Sequence, residues 1–389
     1  MEVHEVPEAV VIKGAVVTPK ELISRGQVSV EGGKIVYVGP EEPDVSGQVL
    51  DFKDCFVVPG LIDLHVHGGG GYDVMGGSEG NLDGLSMFLA AGGVTSFFAT
   101  TYSAPQEDLL ESARRAREAA TEGTEGANVL GLHVEGPYIN PKMVGAQDED
   151  HIRPPSTDEL EEIHRAAGGV LRIVTLAPEV EGALEAVEWL RYRGVIPSAG
   201  HTDATYEKMI EGVDAGISHV AHLFNRMRPL HHREPGAVGA ALLDERVSVE
   251  LIADGVHLHP SVLRLAAKSK GSRRTALVSD GIAPTGLPDG EYRFGKEKVR
   301  VERGRCVLGS GVLAGSAIRL CDAVRNTVDA GFPITESVEM ASTTPAGIIG
   351  VDDYKGRLAE EMDADLTVMS RDFSVLLTLV GGRVVYERG

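Results

Sequence analysis

Eight short apolar runs occupy the chain between Phe56 and Gly281, each separated from the next by an amphipathic stretch, and this alternation restricts the fold to a parallel α/β architecture. The runs read FVVPGLIDLHVH, VTSFFATTY, NVLGLHVEG, LRIVTLAPE, VIPSAGH, ISHVAHLFN, VSVELIADG and TALVSDG. Segments between them, such as EDLLESARRAREAA and GALEAVEWLRYR, carry apolar residues three and four apart with charges between, the pattern of helices that bury one face. The expectation is a (β/α)₈ TIM barrel. In such a barrel the carboxyl ends of all the strands meet at one rim, so residues far apart in sequence can build one site.

Both ends of the chain have a different texture. From about Ala9 to Val49 the residues alternate apolar and polar, with Gly32-Gly33 as a hairpin signal, and LTVMSRDFSVLLTLVGGRVVYERG at the other end does the same around Gly381-Gly382. We therefore expect residues 1–55 and 351–389 to form the two parts of a small β-sandwich beside a barrel of residues 56–350. After the eighth run, GEYRFGKEKVRVERGRCVLGSG reads as an inserted hairpin or flap, and SAIRLCDAVRNTVDAG resumes as the last barrel helix. A barrel of about 250 residues plus one small module accounts for the 389 residues.

Charge and composition narrow the function. With 37 basic against 58 acidic residues the net charge is −21, which argues against a nucleic-acid ligand, since that requires a basic face. No long apolar run suggests a membrane span. MEVHEVPEAV lacks the basic start and apolar core of a secretory signal, so a cytoplasmic location is expected. Cys55, Cys306 and Cys321 are odd in number and far apart, which indicates neither a disulfide framework nor a thiolate metal site. Phosphate-binding P-loops and dinucleotide fingerprints are both missing.

The chemistry lies at the ends of the apolar runs. His65 and His67 stand two apart at the end of an extended segment, where both side chains point to one face. Glu135 ends the third run, and a carboxylate facing a barrel lumen is costly to desolvate unless a cation or hydrogen-bond donors meet it. His201 and His222 end the fifth and sixth runs. Glu135, His201 and His222 together make a carboxylate–imidazole set of the kind that holds a catalytic zinc ion and leaves a position open. His133 and His219 read as packing or supporting histidines. Asp280 ends the eighth run and is the candidate general base and acid. The segment NRMRPLHHREPG gathers Arg226, Arg228, His231, His232 and Arg233 in an otherwise acidic chain, which suits a phosphate or carboxylate, and His257 is placed to join it.

These residues lie in motifs that resemble the amidohydrolase superfamily and, within it, the N-acetylglucosamine-6-phosphate deacetylase branch. The motifs are PGLIDLHVHG, GLHVEGPYI, SAGHTDA, HLFNRM followed by REPG, ADGVH, LVSDG and VLAGS, in this order and over essentially the whole chain. The resemblance implies metal ligation by Glu135, His201 and His222, proton transfer by Asp280, and substrate contacts from Asn225, Arg226, Arg233, His257 and the stretch Leu313, Ala314 and Gly315. It implies a phosphorylated N-acetyl amino sugar as substrate and a homodimer as the assembly. It implies one or two divalent ions, the second held by His65 and His67, with zinc first and iron, manganese or cobalt as alternatives. Two positions depart from that pattern. The loop PKMVGAQ keeps Ala146, a further substrate contact, but offers Gln147 in the same role where a histidine is usual, and Arg226 stands where a small residue is common. Deacetylation of another N-acetyl amino sugar, or hydrolysis of cyclic amides or dipeptides, would use the same metal chemistry.

Overall fold

The computed structural model describes residues 9–42, 46–76 and 81–389; most of the amino-terminal stretch read above for a signal lies outside them. Eight parallel strands form the barrel: β1 Leu61–Val66, β2 Val94–Thr101, β3 Asn128–Glu135, β4 Leu171–Leu176, β5 Ile196–Ala199, β6 His219–Val220, β7 Ser248–Ile252 and β8 Thr275–Val278. Each hydrogen-bonds to its sequence neighbour. The ring closes at its carboxyl end, where Asp280 N–H donates to His65 O at 2.9 Å and His67 N–H to Gly281 O at 2.8 Å. Ile62, Leu64, Phe98, Ile173, Ile252 and Val278 pack together as one buried cluster, so the ring is a filled core rather than a pore.

Helices follow the strands in turn: α1 Asn81–Ala90, α2 Gln106–Glu122, α3 Thr157–Ala167, α4 Ala183–Tyr192, α5 Tyr206–Ala215, α6 Gly236–Leu243, α7 Pro260–Lys270 and α8 Leu320–Asp329. The spacing read from sequence is what they bury. On α2 the inward residues are Leu109, Ser112, Ala113 and Ala116, and on α3 Leu160, Ile163 and Ala167, while the charged positions face outward. The barrel expectation is thus borne out, and no helix among the described residues is long and apolar enough to cross a membrane.

The chain ends meet in one seven-stranded sheet, with Lys34–Pro40 at one edge and Arg383–Glu387 at the other. It rolls on itself. The hairpin turns near its two edges touch, since a Cβ on Gly382 would stand 3.1 Å from Gly33 Cα, and Lys34 pairs with Asp363 at 2.8 Å. The two halves enclose Ile12, Val28, Ile35, Val57, Leu366, Leu377 and Leu379. The strand Gln48–Pro59 belongs wholly to this sheet and leads through Gly60 directly into β1, so the module is tied to the barrel at the strand that carries His65 and His67.

The insertion after β8 is a four-stranded antiparallel sheet, Gly290–Phe294, Glu297–Glu302, Arg305–Leu308 and Leu313–Ser316. Its last strand returns to the rim, where Ser316 N–H donates to Asp280 O at 2.8 Å. Glycine is required there: Gly315 has φ +80°, and a Cβ would stand 2.6 Å from Asp280 O. All three cysteines are free.

Candidate active site

At the carboxyl rim four imidazoles from the ends of three strands converge on one carboxylate. Glu135 Oε1 lies 2.6 Å from His222 Nε2, 3.2 Å from His201 Nε2 and 3.4 Å from His65 Nε2. Its other oxygen lies 3.3 Å from His67 Nε2 and accepts from Gln147 Nε2 at 2.5 Å. Asp280 faces this group from β8, with Oδ1 3.4 Å from His67 Nε2 and 3.8 Å from His65 Nε2. All six groups are buried.

The opposite ring nitrogens explain why Nε2 points inward. His201 Nδ1 meets Met143 O at 2.8 Å and His67 Nδ1 meets Thr100 O at 3.1 Å. A carbonyl can only accept, so each Nδ1 carries its proton and a neutral ring presents Nε2 as a lone pair, the form that ligates a metal. Several inward lone pairs around a carboxylate repel one another unless a cation or added protons stand between them. In the protein alone, protons fill that need. Burial works against charge on His67, yet hydrogen bonds to Asp280 and Glu135 raise its pKa to about 9. For His65 the carboxylates of Glu250 and Glu135 overcome burial and hold it well above the usual imidazole range. Burial pushes Glu135 up, but the charges of His65 and His201 hold it well below the ordinary carboxylate range. A divalent ion satisfies the same electrostatic demand with neutral imidazoles, and the donor set fits one. His65 Nε2, buried without a hydrogen-bond partner, and the grouping of His65, Glu135 and His222 donor atoms within 4.8 Å of one another point the same way.

Backbone strain accompanies the site. His201, His222 and Asp280 have φ of +48°, +26° and +48°, a left-handed conformation that non-glycine residues rarely adopt. Such residues persist where the surroundings over-determine them, and they concentrate at functional sites. Asp280 is also ionised, because the hydrogen bond to His67 and the charge of His65 outweigh burial and hold its pKa below the usual value.

A small cavity of about 30 Å³ opens over this cluster. His67, Glu135, His201, His222 and Asp280 form its floor, while Ala146, Gln147, Asn225, Arg226, Leu313, Ala314 and Gly315 stand around it. His65 lies just behind the floor. His257 does not line this cavity: its side chain is buried and held through Nδ1 by Asp254 at 2.7 Å, which keeps its pKa raised against burial. Arg233 is not brought in: it is exposed on the surface together with His231 and His232. A larger cleft between the end sheet and the opposite end of the barrel, lined by Lys20, Arg246 and Arg357, contains no histidine and no comparable cluster.

Glu250 is the functional residue that the sequence reading missed. It sits on β7 inside the apolar run VSVELI, fully buried, with Oε2 2.8 Å from His65 Nδ1 and 3.1 Å from the backbone N–H of His222, and Oε1 3.0 Å from His219 Nε2. The available signal was a lone carboxylate amid apolar strand residues, which burial tolerates only when it is paired. The charge of His65 and the hydrogen bond from His219 overcome burial and keep Glu250 ionised. His133 is likewise fixed, between Leu64 O at 3.1 Å and Thr175 Oγ1 at 2.8 Å. Glu250→Gln keeps the size but removes the charge that orients His65, so divalent-ion affinity is expected to fall by about 10- to 100-fold in a metal-competition titration. Unaltered affinity would refute the orienting role.

A (β/α)₈ barrel with this acid–imidazole rim is the scaffold of a metal-dependent hydrolase. The amidohydrolase family model matches residues 56–385, and the chain belongs to that family. The N-acetylglucosamine-6-phosphate deacetylase of Bacillus subtilis is 39% identical over 386 residues, which cover 97% of this chain and 98% of that one. The N-acetylgalactosamine-6-phosphate deacetylase of Escherichia coli O157:H7 is 36% identical over 359 residues, 92% of this chain and 94% of that one. Among solved structures, a single-site variant of the Mycobacterium smegmatis N-acetyl-D-glucosamine-6-phosphate deacetylase in complex with N-acetyl-D-glucosamine-6-phosphate aligns with a TM-score of 0.92 at 32% identity, covering 97% of this chain and 99% of that one.

Proposed function

We propose that the chain removes the acetyl group from N-acetylglucosamine 6-phosphate, releasing acetate and glucosamine 6-phosphate. The observation that carries this reading is the convergence of His65, His201 and His222 on one oxygen of Glu135, facing an ionised Asp280 across the cavity. The relatives named above support the substrate class.

In this reading Glu135, His201 and His222 hold a divalent ion, with zinc first and iron, manganese or cobalt compatible with the same donors. His65 and His67, beside Asp280, would hold a second. When bound, such an ion polarises the acetamide carbonyl and lowers the pKa of water toward about 7. Asp280, ionised and buried, accepts the proton of the attacking water and delivers it to the departing amine nitrogen. Gln147, with its carbonyl oxygen accepting from Ser103 N–H at 2.5 Å and its amide group on Glu135, fixes the carboxylate from the loop side. Asn225 and the Leu313–Gly315 stretch close the cavity around the sugar.

The reading includes a cytoplasmic homodimer. In that assembly Arg233, exposed and outside its own cavity, would reach a sugar phosphate in a neighbouring copy. A second sugar also has specific support: the relative 36% identical to this chain is an N-acetylgalactosamine-6-phosphate deacetylase.

The test is acetate release from a panel of N-acetylglucosamine 6-phosphate, N-acetylgalactosamine 6-phosphate, free N-acetylglucosamine and a β-aspartyl dipeptide. The 6-phosphate of glucosamine should give the highest kcat/KM, about 10²-fold or more above the free sugar, as expected from two charge-assisted hydrogen bonds. Equal efficiency with and without phosphate would overturn the substrate class, and peptide cleavage without acetate release would overturn the reaction.

A further inference from the structure

We propose that Arg226 is the residue by which a single chain selects a phosphorylated substrate: its guanidinium forms an anion-binding corner of the cavity. The proposal rests on the deacetylase reading and assigns its phosphate recognition to one side chain.

Arg226 lines the cavity and is half-buried, yet its side chain has no hydrogen bond and no ion pair among the described residues. That is unusual for its setting. Arg228, two positions on, is bonded to Asp203 at 3.0 Å, and Arg153 on the same rim pairs with Glu159. The acids near Arg226 are already engaged. Glu135 is surrounded by imidazoles, and Asp254 accepts from the backbone N–H groups of Val256 and His257 at 2.8 and 2.7 Å and from His257 Nδ1. A partly desolvated guanidinium without a carboxylate is costly unless an anion completes it.

The chain makes room for this cation. Arg226 has φ +51°, and its backbone is held there because its carbonyl accepts from Thr202 N–H at 3.1 Å. The stem lies over Gly145, where a Cβ would stand 3.0 Å from both Cγ and Nε of Arg226. A planar guanidinium with its donors unengaged suits a phosphate monoester, which offers three oxygens and a charge near −2.

The test compares Arg226→Gln with Arg226→Lys. In each, kcat/KM is measured for N-acetylglucosamine 6-phosphate and for the free sugar, and binding of inorganic phosphate to the metal-free protein is measured by calorimetry. Arg226→Gln should lower the ratio of the two efficiencies by about 10- to 100-fold, chiefly through KM of the phosphorylated sugar, and should weaken inorganic phosphate by a similar factor. Arg226→Lys should recover part of both. If Arg226→Gln changes neither the ratio nor phosphate binding beyond twofold, the proposal is overturned. If the wild-type protein releases acetate from neither sugar, the deacetylase reading fails, and the calorimetric comparison still decides whether Arg226 holds phosphate.

Discussion

Glu135→Gln is expected to strip the bound divalent ion from the purified protein and to reduce acetate release by about 10³-fold or more, the loss of several kcal/mol of charge stabilisation. Three Nε2 atoms from three separate strands point at one oxygen of this residue. An amide in its place has no charge, and whichever end it presents, part of the imidazole set faces the wrong group. Metal analysis alongside the acetate assay separates this from a purely catalytic defect, because ion content and turnover should fall together. Retention of both would mean that Glu135 is not a ligand. His67→Asn then distinguishes one ion from two. Its imidazole reaches Glu135 Oε2 and Asp280 rather than the oxygen shared by His201 and His222. Loss of half the metal with part of the activity kept would identify a second, auxiliary ion near β1.

The difference between what the sequence disclosed and what it concealed follows from how far apart the interacting residues lie. Barrel strands could be read because each is a local apolar run followed by a local amphipathic helix, and the ligand candidates because each closes its own run. Even β6, reduced to His219–Val220, was visible through the histidines around it. The rolled sheet of the chain ends is another matter. Alternation marked its strands, but the parallel pairing of Ala9–Val17 with Gln48–Pro59, and the contact of Gly33 with Gly382, join segments whose partners no local pattern names. The insertion was legible as a flap, yet its fourth strand, Leu313–Ser316, is specified by its bond to Asp280 O rather than by periodicity. Glu250 escaped for a related reason: its partners are 185 and 31 residues away. Composition placed Arg226 and Arg233 in one basic loop. Only the backbone turn, with Arg226 in the left-handed region and Arg233 exposed, separates a cavity residue from a surface one.

Asp280→Asn is expected to leave the fold and most of the metal in place while lowering turnover by about 10²-fold or more, the usual contribution of a positioned proton-transfer group. The substitution preserves shape, so Asp280 N–H can still donate to His65 O and the carbonyl can still accept from Ser316 N–H. Only the ionised oxygen facing His67 is lost. Because the surrounding imidazoles hold the carboxyl below its ordinary pKa, the group is ionised throughout the neutral range. Activity that depends on the ionised base falls as pH drops through that depressed pKa, so the wild-type profile should have an acidic limb. Asparagine cannot titrate, and the limb should disappear from the residual activity of the variant. Turnover within a few fold of wild type, or an acidic limb that survives the substitution, would assign proton transfer to another group.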